Sequence, residues 1–135
     1  MSTIDFSRDF SEYRAKLVQL GADLDESARR VVSRMADKGM EVTVRNTPVD
    51  TGHLRKNWLK GRTLRVGNGV ESQYYNNVYY GLYVNDGHRI VNRRGETIGH
   101  KEGVRMLEQG QNAAKEAADS IFNEEIRRVK RKGGW

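Results

Sequence analysis

The chain has 135 residues, 36% of them apolar and 31% charged, with a net charge of +6 and no cysteine. That length predicts one domain with a lean core. Disulfides and thiolate metal sites are excluded, and no apolar run approaches the ~20 residues of a membrane span. The N-terminus, MSTIDFSRDF, lacks the basic-then-apolar order of a signal peptide. The sequence therefore reads as a soluble protein folding where it is made, with no membrane partner, and basic enough to meet nucleic acid or an acidic protein surface.

Helix is expected over residues 7–45. Phe10, Tyr13, Leu17 and Leu20 recur at three- and four-residue steps, then Leu24, Ala28, Val31, Met35 and Val42. Gly21 interrupts, and Asp23 with Glu26 resembles a capping box, so two helices are expected to meet there. Pro48 biases Thr47 away from helix. Pro48, Asp50, Thr51 and Gly52 then supply a turn. Whether Asp50, Thr51 and His53 form a reactive cluster or a joint between elements is the main question that this stretch raises.

Aromatic and β-branched residues gather from Trp58 to Val84, which predicts short antiparallel strands near 57–66, 69–76 and 79–85. Gly67-Asn68-Gly69 is a tight-turn signal between the first two. Residues 86–103 hold four glycines and read as a long flexible loop, in which Ile90, Val91 and Ile98 have the composition of a short hairpin arm around Arg94–Gly95. A last helix is expected over 104–130, with Leu107, Ala114, Ala118, Ile121, Phe122, Ile126 and Val129 as its apolar face. Its small Ala113, Ala114, Ala117 and Ala118 permit close approach of another element. A basic, frayed tail at 130–135 follows.

Three kinds of chemistry compete. Asp86, His88 and His100 share the glycine-rich stretch, and such ligands suit zinc or manganese, but the spacing matches no metal motif. The order His88, Asn92, His100 is too tight for the frame of an HNH-type nuclease. No phosphate loop or nucleophile elbow is present, so no cofactor is expected and an enzyme has little support. Two basic clusters, one of Arg89, Arg93, Arg94, Lys101 and Arg105, the other of Arg127, Arg128, Lys130, Arg131 and Lys132, have the charge to neutralise phosphates. No helix-turn-helix or aromatic RNA-binding motif accompanies them. Tyr and Arg also suit subunit contacts.

The segment Thr47-Pro48-Val49-Asp50-Thr51-Gly52, followed by Leu54-Arg55 and Trp58, carries a family mark. Tyr79-Tyr80-Gly81-Leu82-Tyr83-Val84-Asn85-Asp86-Gly87-His88 and Gly103-Val104-Arg105-Met106-Leu107 carry two more. Together these resemble the tail-completion, or type 1 neck, proteins of long-tailed bacteriophages over roughly residues 30–125. Many members have Glu and then Gly-Thr where this chain has Asn85-Asp86-Gly87-His88. The resemblance implies an α+β domain spanning 1–135, with N-terminal helices and a C-terminal helix packed on a small antiparallel sheet. It implies no catalysis. It implies a virion subunit, made in the host cytoplasm, that forms a ring at the head–tail junction around the DNA channel. Its partners would be further copies of itself and the neck, connector and tail-terminator or tail-tube proteins. On that reading Tyr79, Tyr80, Tyr83, Asn85, Gly87, His88, Arg89, Arg93 and Arg94 are expected at interfaces. Lys101, Arg105, Arg127, Arg128, Lys130 and Arg131 are expected against acidic partners or, transiently, DNA. The rival is a small basic nucleic-acid-binding protein; a weaker one is a metal-dependent nuclease using Asp86, His88 and His100.

Overall fold

The computed structural model describes residues 6–49 and 52–134. Helix α1 is continuous from Phe6 to Arg45. The expected break at Gly21 is absent. This glycine is exposed with open space where a Cβ would be, and a helix carries an isolated glycine for only ~1 kcal/mol. Asp23 and Glu26 therefore cap nothing. Asp23 is instead buried in the helix, where its Oδ1 accepts hydrogen bonds from Gln19 Nε2 and Lys132 Nζ, each at 3.0 Å.

After the chain leaves α1, Thr47 is buried. Its Oγ1 donates to Thr43 O at 2.7 Å, accepts from Trp58 Nε1 at 2.9 Å and touches Met106 Sδ at 3.4 Å. One hydroxyl thus ties the helix end to the start of the sheet. Gly52, at φ 68°, opens the four-residue helix α2, His53–Lys56; Asp50 and Thr51 lie outside the described residues. Leu54 and Trp58 point inward, as an entry anchored on them requires. His53 is exposed. Thr47→Val keeps the shape and removes the acceptor, leaving the indole N–H buried and unpaired. A loss of about 2 kcal/mol is expected, read by urea unfolding; no change would sink the joint.

Strands β1 (Trp58–Lys60), β2 (Leu64–Val66), β3 (Gly69–Glu71) and β4 (Tyr74–Asn76) form one interrupted antiparallel hairpin. β2 pairs with β3 at its tip and β1 with β4 at its base. The two-residue turn Gly67-Asn68 sits where expected, with Gly67 at φ 58°. Each long strand expected from composition is split by a short irregular step. Across it Gly61 N still donates to Gln73 O at 2.8 Å, and Thr63 Oγ1 to Ser72 Oγ at 3.1 Å. Pleating buries Trp58 and half-buries Tyr74 and Asn76, while Leu59 and Tyr75 face out.

The third expected strand does not form. Gly81–Asp86 is helix α3, which lets Val84 and Tyr80 pack on the cluster of Leu54, Trp58 and Met106. Residues 87–102, expected as loop, hold an antiparallel arm: β5 (Gly87–Val91) and β6 (Thr97–Glu102), irregular at Ile90/Val91. Asn92 Oδ1 closes its turn by accepting the Arg94 and Glu96 N–H groups at 2.9 and 3.0 Å. The α+β class holds, with three two-stranded ribbons in place of one sheet.

Helix α4, Met106–Gly133, runs antiparallel along α1. The contact line between them is small or polar. Asp23, Ser27, Ala36, Gly39 and Thr43 are buried on α1. The apolar Leu17, Val18 and Leu24 stay exposed. On α4 Met106, Gly110, Ile121, Glu125 and Val129 are buried, and Phe122, expected inside, is 53% exposed. Gly39 and Gly110 sit at the closest crossing. There Thr43 Oγ1 donates to Met106 O at 3.1 Å and lies 3.0 Å from Tyr74 OH. Farther along, Arg34 reaches Glu124 at 2.6 Å and buried Glu125 at 3.4 Å. The tail expected to fray from residue 130 stays helical to Gly133, and Lys132 holds Asp23.

The Lys132 hydrogen bond, helped by Gln19, holds the Asp23 carboxyl below the usual carboxylate range. A depressed folded pKa gives stability that is present above the unfolded value and lost as pH falls through the folded one. Unfolding free energy should therefore drop below about pH 4. Lys132→Ala should flatten that acid limb; an unchanged limb in a urea titration would refute the link.

Candidate functional site

Asn85, Gly87 and Gly103 build the base of the arm. Asn85 is 2% exposed. Its Oδ1 accepts the Leu107 N–H at 2.9 Å, and its Nδ2 donates to Asp86 Oδ1 at 2.8 Å and Glu108 Oε1 at 3.2 Å. Its carbonyl accepts Arg105 N–H at 3.0 Å, and Val84 O accepts Val104 N–H at 2.9 Å. Asn85 thus fastens α3 to the first turn of α4. Expected at an interface, its side chain faces inward because it satisfies an N–H that the start of a helix leaves without an intrahelical partner. Gly87, at φ 84°, is also structural. A Cβ there would overlap Lys101 O and lie 2.7 Å from Gly103 N, and one on Gly103 would overlap Asn85 O.

Above this base lies a groove of about 670 Å³. Its apolar wall comes from Pro48, Tyr80, Tyr83, Val84, Val91 and Val104, and His88, Arg89, Lys101 and Glu102 supply the polar part. Tyr83 meets the His88 ring edge-on at 6.2 Å. The expected contact residues Tyr80, Tyr83, His88 and Arg89 are therefore brought together. Tyr79 stands apart, 87% exposed. Arg93 and Arg94 are at the exposed arm tip.

The arm's packing against other elements is mainly on α3. Ile90, Val91 and Ile98 are 43%, 48% and 65% exposed. Among the described residues Arg89, Arg93, Arg94 and Lys101 make no ion pair. An isolated two-stranded hairpin is marginal in water, so an arm of this composition gains by covering its aliphatic residues.

The other basic residues do not join it. Arg105, at φ 59°, is 3.8 Å from Asp86 and 4.0 Å from Glu108. Arg128 is 3.8 Å from Glu125. Arg127, Lys130 and Arg131 lie about 33–39 Å from Arg105 along α4, by the helical rise. The two basic clusters read from the sequence stay apart in the fold, one at the arm and one at the end of α4. Strand pairing places His88 opposite Lys101 and His100 opposite Arg89, cationic neighbours that oppose a metal. No group of three or more His, Asp or Glu able to hold one occurs among the described residues. No helix among them is long and apolar enough to cross a membrane.

The exposed surface is 10286 Å², whereas a compact monomer of 15.5 kDa exposes about 7,200 Å². The long α1 helix contributes to this excess. The model of a family described as "Bacteriophage HK97-gp10, putative tail-component" matches residues 11–87. That stretch includes most of α1, the joint, the long hairpin and α3; the arm beyond Gly87 and α4 lie outside it. No curated protein and no solved structure gives a significant match. The matched stretch is more than half of the chain, and the protein belongs to this family of phage tail components.

Proposed function

We propose that this protein is a structural subunit of the phage neck, completing the tail or joining it to the capsid as one copy of an oligomeric ring around the DNA channel. Its neighbours would be further copies and the connector, tail-terminator or tail-tube proteins. The observation that supports this reading best is the arm: in a family of tail components, a hairpin carries three exposed aliphatic residues and unpaired cations while adding little to the subunit's own core. The role is assembly, with no catalysis.

Replacing residues 89–101 by two glycines tests it. Gly87 and Glu102, which stay in place, are paired, so a short linker closes the gap. The melting temperature should stay within a few degrees of the parent, and heads and tails should fail to join. Particles that still join would count against the reading. Unpaired Arg127, Lys130 and Arg131 favour a second one, direct DNA binding. It predicts tight, steeply salt-dependent binding by the lone subunit and no incorporation into particles.

A further inference from the structure

The charge along α4 is split. From Met106 to Ile126 there are five carboxylates and one lysine; from Arg127 to Lys132 there are five cations. Glu108, Glu124 and Glu125 have cationic partners within the chain. Glu116 and Asp119 make no ion pair among the described residues, and neither does Lys115. Lys115, Asp119 and Phe122 fall at i, i+4 and i+7, on one outward stripe. All three are exposed. Phe122 is a large ring, 53% exposed on that face.

The groove at the base of the arm is the complement of that stripe. It has an aromatic and aliphatic wall, with Arg89 and Lys101 on its rim and Glu102 beside them. None of these three makes an ion pair among the described residues. The lengths also agree, about 10 Å from Lys115 to Phe122 along the helix and about 13 Å along β5.

We infer that the groove is the seat of a second copy's α4. Phe122 enters between Tyr83, Val91 and Val104; Asp119 and Glu116 meet Arg89 and Lys101; Lys115 meets Glu102. Groove and stripe are different patches of one surface, so the contact is heterologous. Repeated by rotation it closes a ring, or leaves an open filament. The inference rests on the oligomeric part of the reading above and assigns the surfaces that make it.

The chain's lack of cysteine gives a clean background for cross-linking. Phe122→Cys and Val91→Cys are made singly and together, with Val104→Cys as a second groove position, and their folding is checked by circular dichroism. Under mild oxidation the double variant should give a ladder of dimers, trimers and higher species. A mixture of the two single variants should give dimers only, and each single variant alone should stay monomeric. Asp119→Arg should lower the cross-linked yield at least tenfold, and adding Arg89→Asp should restore most of it. Dimers from one single variant alone, indicating a symmetric contact, would overturn the inference. So would an Arg89→Asp variant that cross-links normally yet loses tenfold in duplex DNA binding. The same cross-link is sought in solution and in purified tails. A ladder from a subunit that never enters particles would keep the contact and sink the neck reading. A subunit present in particles without the cross-link would do the reverse, and its absence from both overturns the inference.

Discussion

Gly110→Ala should lower the melting temperature by about 10 °C. A Cβ at Gly110 would overlap Thr43 Oγ1, lie 2.5 Å from Gly39 O and 2.7 Å from Tyr74 OH. Gly39 O is backbone on the opposite helix, and the two hydroxyls, Thr43 Oγ1 and Tyr74 OH, are bonded to each other, so relief breaks hydrogen bonds or moves α1. Either happens where Thr43 bonds to Met106 O and Tyr74. Overpacking of this kind costs about 3 kcal/mol at the upper end, worth roughly 3–4 °C per kcal/mol at this chain length. Gly21→Ala is the control. Nothing lies within 4 Å of its Cβ position, so alanine's helix preference should raise stability by about 0.5–1 kcal/mol. Differential scanning calorimetry of the two variants should show opposite signs. If both lose, or neither does, the close crossing is not where stability is concentrated.

Asn85→Ala should destabilise the free subunit by about 2–3 kcal/mol. The change removes the acceptor for Leu107 N–H, a cap worth about 1 kcal/mol. It also leaves a small void beside a group that holds α3, Asp86 and Glu108 together. Tyr79→Ala, at a side chain 87% exposed, should change the melt by less than about 0.5 kcal/mol. Unfolding curves on the monomer separate the two accounts of Asn85. A contact residue would melt normally and fail only in assembly; a fastening residue melts early whether or not partners are present.

The legible parts of the fold were those set by local chemistry. Gly67-Asn68, Pro48 and the strand-forming Trp58 and Tyr74 each declare a turn, a stop or a pleated face. The segment around Arg94–Gly95 read chiefly as a loop, with only Ile90, Val91 and Ile98 hinting at the arm; the role of Asn92 in closing its turn was not read. The α1 face was misread for a physical reason. Apolar periodicity finds the stripe of Leu24 and Val31, but the helices meet through Asp23, Ser27, Gly39 and Thr43, whose value is their small size and their hydrogen bonds. Gly21 looked like a break because glycine weakens a helix, whereas contacts with α4 from Asp23 onward carry it through. α3 was taken for a strand since Tyr79, Tyr80 and Tyr83 favour strands; packing of Tyr80 and Val84 one turn apart decides otherwise. Of the candidate site, Tyr80, Tyr83, His88 and Arg89 line one groove. Asn85 faces inward instead, and the sequence hid this because a polar side chain near a glycine reads the same whether it faces a partner or caps a helix. Phe122 was placed inside by periodicity, one position away from the truly buried Ile121.

Helix α1 has 40 residues, a rod of about 60 Å, while a compact domain of this chain length is roughly 35–40 Å across. Such a rod drags solvent well out of proportion to its mass. In gel filtration a single subunit should elute early, at the position of a globular protein of higher mass, and sediment slowly. Elution volume alone would then report a dimer where there is none. Stoichiometry for this protein has to come from light scattering or sedimentation equilibrium, which weigh the particle and do not respond to its shape.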